Sequence, residues 1–302
     1  MNITRMDLDG AGSPNALVLK ILRLEPDLKP PIPIEELALQ LDIKEIRALA
    51  ADGFEGGLIT DVARSDGFIL VNQKAIRGRR RFTVGHELGH FLLTHHKPPP
   101  GGFQCSREDM RRYAATEGDN YGRMEVEANQ FSALMLMPPP MIRSFMEQFR
   151  DADLAHIMCL AAAFDVSKEA AARSYAQYHE QLTAAVVVKD GRVLRIYKNP
   201  QFPRLTVDPG TAVPAHTLFY RAGHKQNVPS VIAEARAEAW LQSDWGKPMP
   251  ELCEQVYLQK DGYALVLLTA EPAAEDEGYD LDAERTAKER YQDRQSRPFR
   301  RY

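Results

Sequence analysis

At 302 residues the chain exceeds the usual size of one hydrophobic core, so two compact units plus tails are expected. A hydrophobic content of 44% with 26% charged residues is ordinary for a globular protein and excludes a largely disordered or membrane-embedded one. The net charge of -4 supplies no global attraction for nucleic acid, which needs a concentrated positive field.

No stretch reaches the roughly 18 apolar residues of a membrane span. The start, MNITRMDLDGAG, carries acids where a signal peptide would have a basic and then an apolar region. A cytoplasmic location without a membrane partner is the expectation. Cys105, Cys159 and Cys253 are far apart and odd in number, a pattern of neither a disulfide framework nor a CxxC zinc site, so they read as reduced bystanders.

In chain order, PNALVLKILRL (14–24) and PPIPIEELALQLDI (30–43) predict two short helices,. GLITDVARSDGFILVNQ (57–73) alternates around a Ser-Asp-Gly turn and predicts a β-hairpin ending in the strand FILVN,. RRFTVGHELGHFLLT (80–94) predicts a helix, with Thr83 as a candidate N-cap,. The run Arg77, Arg79, Arg80 and Arg81 before it reads mainly as a solvated face, with contact to an acidic substrate the minor reading. RMEVEANQFSALMLM (123–137) predicts a second helix closed by three prolines, and 141–182 reads as all-helical with a helix-turn-helix pair capped at Ser167,.

From Ala184 the runs AAVVV, RVLRIY, LFYR and YALVLLT predict strands, with one helix at 230–241,. The tail from Glu271 separates an acidic from a basic block and predicts disorder or a loosely attached helix. The expected division is 1–140, 141–183, 184–271 and the tail 272–302.

HELGH (86–90) carries the chemistry. Histidines four apart on a helix project from one face and can meet one Zn2+, with Glu87 beside the attacking water as general base. The glycine at 89 is expected to leave space beside the metal. A catalytic zinc needs a third protein ligand, and the second helix offers Glu125 and Glu127. Glu125 shares a face with Ala128, Asn129 and Ser132, whereas Glu127 shares one with Phe131 and Leu134. Both remain candidates, with Glu125 favoured. His95 and His96 lie past the expected helix end and read as solvent-facing or as substrate contacts. Tyr113 and Tyr121 read as packing residues, with oxyanion stabilisation the alternative. Histidine and carboxylate ligands also admit Mn2+ or Fe2+.

RRFTVGHELGHFLL and EVEANQFSALMLMPP together resemble the ImmA/IrrE family of metallopeptidases, over about residues 32–182. The resemblance implies His86 and His90 as zinc ligands, Glu125 as third ligand and Glu87 as catalytic base. It also implies cleavage of a helix-turn-helix transcriptional repressor that relieves repression of stress-response or mobile-element genes. Gly85 stands where the family more often has alanine, and Ser132 replaces another common alanine.

The expected fold is therefore α+β: a mostly helical, zincin-like metallopeptidase domain with a small sheet and helix-turn-helix-like helices, then a smaller, regulatory α+β domain. The expected function is zinc endopeptidase acting on a protein partner. The alternative is a DNA-binding or toxin-antitoxin type regulator with a structural metal site. KEAAARSYAQYHEQL lacks the clustered positive face of a DNA reader, which disfavours direct nucleic-acid contact.

Overall fold

A computed structural model describes residues 1–99, 102–112, 114–149, 151–243 and 248–271. The tail expectation for 272–302 and Tyr113 lie outside the described residues. Two helices open the chain, α1 (Pro14–Leu24) and α2 (Ile34–Gln40). Three strands follow: β1 (Ile43–Leu49), β2 (Gly56–Thr60) and β3 (Gly67–Asn72). Next come α3 (Arg77–Leu92), β4 (Phe103–Cys105) and α4 (Asn120–Leu136). The first sheet has the order β1-β3-β2-β4, with β1 parallel to β3 and the other pairs antiparallel. The β2–β3 hairpin is the expected one. Strand β1 was not foreseen, because IKEIRAL alternates only weakly and its partner β3 is distant in sequence.

Helix α3 starts at Arg77, three residues before the expected position, and Thr83 is a fully buried mid-helix residue and not its N-cap. Basic residues in a first helical turn oppose the helix dipole. Here the carboxylates of Glu35 and Asp165 stand against them: Arg80 Nε donates to Glu35 at 2.7 Å and Arg77 Nε to Asp165 at 2.6 Å. Arg81 is buried and donates to the Ile32 carbonyl. The basic run thus ties α3 to its neighbours. At the other end Arg64, buried with φ +52°, donates from Nη1 to the carbonyls of His90, Phe91 and Leu93 at 2.8–2.9 Å. One guanidinium satisfies the last-turn acceptors that a helix leaves open.

Helices α3 and α4 approach so closely that side chains are excluded from the seam. A Cβ on Gly89 would lie 3.1–3.2 Å from Phe131 and the Ala128 backbone, so this glycine serves helix packing and leaves no space beside a metal. A Cβ on Gly85 would lie 2.6 Å from Ser132 Oγ, which donates to the Phe82 carbonyl at 2.7 Å. The two departures from the resembled family therefore complement each other, the larger residue on α4 filling the space of the missing methyl on α3.

Three further helices, α5 (Pro139–Met146), α6 (Leu154–Phe164) and α7 (Lys168–Tyr178), follow the prolines. Asp165 in the left-handed region ends α6, and Ser167 caps α7 as expected, accepting from Ala170 N. The C-terminal strands are β5 (Leu182–Lys189), β6 (Arg192–Lys198) and β7 (Ala233–Glu234), then, after the short α8 (Ala237–Trp240), β8 (Glu251–Leu258) and β9 (Tyr263–Glu271). They form an antiparallel sheet of order β6-β5-β9-β8-β7. One face carries Ala185, Val187, Leu265 and Leu267 into a core with α5, α6 and α7. The other carries Val186, Val188, Val266 and Leu268 against Phe202, Val213 and Trp240. Burial on both faces explains the unbroken AAVVV run. The helix expected over 230–241 shrinks to α8, and Leu218–Tyr220, expected in a strand, is a 3-10 turn.

The seam between α3 and α4 gives a first prediction. Gly85→Ala should destabilise the fold by about 1–3 kcal/mol through overpacking. Adding Ser132→Ala should recover part of that loss, so that denaturant unfolding of both single variants and the double variant yields a favourable coupling of at least about 0.5 kcal/mol. Additive losses would show that the two positions do not share one space.

Candidate metal centre

The sheet and the two long helices converge on a buried polar cluster. His86, Glu87 and His90 on α3 and Glu125 on α4 are all 0% exposed. His86 Nε2 and His90 Nε2 are 3.1 Å apart, and Glu125 reaches them at 3.2 Å and 3.4 Å with its two carboxylate oxygens. Such burial of unpaired charge would be costly without compensation. Glu127 points elsewhere, accepting from His95 at 2.5 Å and from His96 at 2.8 Å. The fold thus separates the two glutamates that the sequence left as alternatives.

The outer contacts of the rings decide where their lone pairs point. Asn129 Nδ2 donates to the carbonyls of Asp109 and Arg112 at 2.8 Å and 3.0 Å, which turns its Oδ1 toward His86 Nδ1 at 2.9 Å. An acceptor there requires Nδ1–H, so the Nε2 lone pair of His86 faces the cluster. His90 Nδ1 lies 3.0 Å from His96 Nδ1, and His96 Nε2 lies 2.8 Å from Glu127. The hydrogen-bond sequence Nδ1–H of His90 to His96, then Nε2–H of His96 to Glu127, likewise leaves His90 Nε2 as a donor atom for a cation. His96 is therefore fully buried beside the site, not solvent-facing as expected from its place after the motif; His95 is the exposed member of the pair.

Electrostatics set the proton inventory. Burial holds His90 down at about 4 and His96 at about 3, so both rings are neutral. Burial alone would raise Glu125, yet its contacts with His86 and His90 outweigh it and hold the carboxyl well below the usual range. At His86 desolvation is outweighed by Glu125, Glu87 and Asn129, which raise the ring and favour a proton at Nε2 that a cation would displace. Glu87 is pushed up to about 8 by burial, and neither of its oxygens has a hydrogen-bond partner. An orphaned carboxylate aimed beside two lone pairs and a second carboxylate suits a divalent cation with its water. Strand β2 comes so near that a Cβ on Gly56 would fall 2.7 Å from Glu87 Oε1, which makes glycine necessary there.

Two further residues enter from β4. Phe103 stacks on His90 with centroids 4.2 Å apart. Cys105, buried, places Sγ 3.9 Å from both His90 Nε2 and Glu125 Oε1. His86, His90, Cys105 and Glu125 present candidate donor atoms all within 4.8 Å of one another. Spacing offered no sign of it, since it lies on a short strand whose position depends on pairing with β2. Tyr121, in the first turn of α4, is exposed, and partial desolvation together with Glu125 raises its phenol. Among the described residues no helix is long and apolar enough to cross a membrane.

Residues 45–175 match the family model of the M78 peptidases, described as the IrrE N-terminal-like domain. No curated protein matches the chain significantly. A solved Mycobacterium tuberculosis transcriptional regulator is similar at 14% identity, over 84% of this chain and 86% of that one, with a TM-score of 0.48.

Because the donor atoms exist only in the folded chain, a divalent cation held by this group should stabilise it. Zn2+ at one hundred times its dissociation constant should add about 2.7 kcal/mol to unfolding. A rise in melting temperature that a chelator reverses is the expected result. An unchanged transition would exclude a site preferring the folded state.

Proposed function

From an IrrE N-terminal-like domain of the M78 peptidase family at residues 45–175, we propose that the chain is a zinc-dependent endopeptidase that cleaves a helix-turn-helix transcriptional repressor and so relieves repression. The observation that carries the catalytic reading is the buried Glu87 carboxylate, without a partner at either oxygen, beside the converging His86, His90 and Glu125. His86, His90 and Glu125 hold the metal in this reading, and Mn2+ or Fe2+ suits the same donors. The repressor as substrate follows from the family resemblance.

A bound zinc supplies a Lewis acid for the scissile carbonyl and acidifies water. Glu87 takes the proton of the attacking water and delivers it to the departing amine, a double duty suited to a carboxyl that burial raises and that the positive charge of a bound cation would bring back toward neutrality. His86 and His90 are oriented through Asn129 and His96, so the protein presents both lone pairs in the tautomer that binds,. Water exclusion comes from Phe103 and the close passage of β2,.

Purified wild type should carry about one zinc per chain, and His90→Ala should lose it by elemental analysis. Glu87→Gln should retain the metal while cleavage of the repressor encoded beside the gene falls by about 10²–10⁴-fold. Equal and measurable cleavage by wild type and Glu87→Gln would remove Glu87 from the mechanism. Metal retention by His90→Ala would remove that ligand.

A further inference from the structure

Resting on the metal site just proposed, the geometry points to Cys105 as a fourth protein ligand, which closes the resting site to water. For donors about 2.05 Å from a tetrahedral zinc, two nitrogens or oxygens stand roughly 3.3 Å apart, and a sulfur at 2.3 Å stands roughly 3.6 Å from them. His86 Nε2 and His90 Nε2 are 3.1 Å apart, and Glu125 stands 3.2 Å from the first through Oε2 and 3.4 Å from the second through Oε1, so either carboxylate oxygen has one histidine nitrogen at about this spacing. Cys105 Sγ stands 3.9 Å from His90 Nε2 and from Glu125 Oε1 and within 4.8 Å of the remaining donor. A displacement of a few tenths of an ångström brings the sulfur to tetrahedral spacing from His90 and Glu125.

The strand prepares the thiol for this place. Cys105 pairs with Gly56 across β2, its carbonyl accepts from Glu55 N at 3.1 Å, and Phe103 two residues earlier packs on the ring of His90. Its side chain is buried, where a thiol without a role is simply a small apolar group. Here it faces two carboxylates and an imidazole lone pair, surroundings that repel a free thiolate and suit one bound to a cation. On metal uptake the sulfur–metal bond forms as the S–H bond breaks, and the thiol proton leaves to solvent.

Four protein donors define a closed site, whereas hydrolysis needs one position for water. The chain therefore rests as a latent peptidase, and Cys105 must leave the metal before Glu87 has a water to deprotonate. The closed form also reconciles an unpartnered Glu87 with a complete donor set, since Glu87 waits beside the ligand sphere without joining it.

Titration with Co2+ under reducing, anaerobic conditions tests this directly. Wild type should take up one equivalent and show a near-ultraviolet thiolate-to-cobalt charge-transfer band. Cys105→Ala and Cys105→Ser should keep the visible ligand-field bands of a bound ion and lose the charge-transfer band, while repressor cleavage increases. Ligand-field bands in wild type without charge transfer would overturn the assignment of Cys105 and leave the three-ligand site standing. A charge-transfer band that persists in both variants would overturn it as well. No cobalt uptake by folded wild type would overturn the metal site itself, and the inference with it.

Discussion

Everything at the buried centre depends on how closely α3 and α4 approach. Gly85 and Gly89 remove side chains from the seam, and Ala128 and Ser132 meet them from the other helix. Only at that distance does Glu125 reach the Nε2 atoms of His86 and His90. A helix presenting two histidines supplies two candidate donors, and the small residues beside them bring Glu125 within range. Packing density thus determines ligand geometry, since interiors this tight transmit a displacement of one helix directly to the donors.

The outer shell is as specific as the inner one. Asn129 and His96 accept from Nδ1 of the two histidines, Glu127 anchors His96, and Arg64 gathers the carbonyls at the end of α3. Each interaction removes a degree of freedom that a cation would otherwise have to restrict at the cost of affinity. The basic first turn of α3 belongs to the same frame, tied to α2 through Glu35 and to the α6–α7 turn through Asp165. Helices α5–α7 then share one core with the C-terminal sheet, so α3 connects through Asp165 to elements that also pack on β5 and β9.

Legibility in the sequence followed the range of the interactions. Helices α1, α3, α4, α6 and α7 and the β2–β3 hairpin were readable because periodicity, caps and turn residues act within a few positions. The Ser167 cap is of this kind. Strand β1, the 3-10 turn at Leu218–Tyr220 and the shortened α8 were not, because their conformations are set by partners far along the chain. The same limit governed the site: the i, i+4 histidines and the intervening glutamate are local, and they stood out at once.

The sequence by itself determined which groups could bind and transfer protons, since HELGH on a helix places two imidazoles on one face whatever surrounds it. Only the tertiary structure placed Glu125, and not Glu127, against His86 and His90, buried His96 behind His90, and brought Cys105 of the edge strand β4 beside them. The reason is physical: a metal site is defined by distances of a few ångströms between atoms tens of residues apart. Those distances arise from helix packing and strand pairing, which no local pattern encodes.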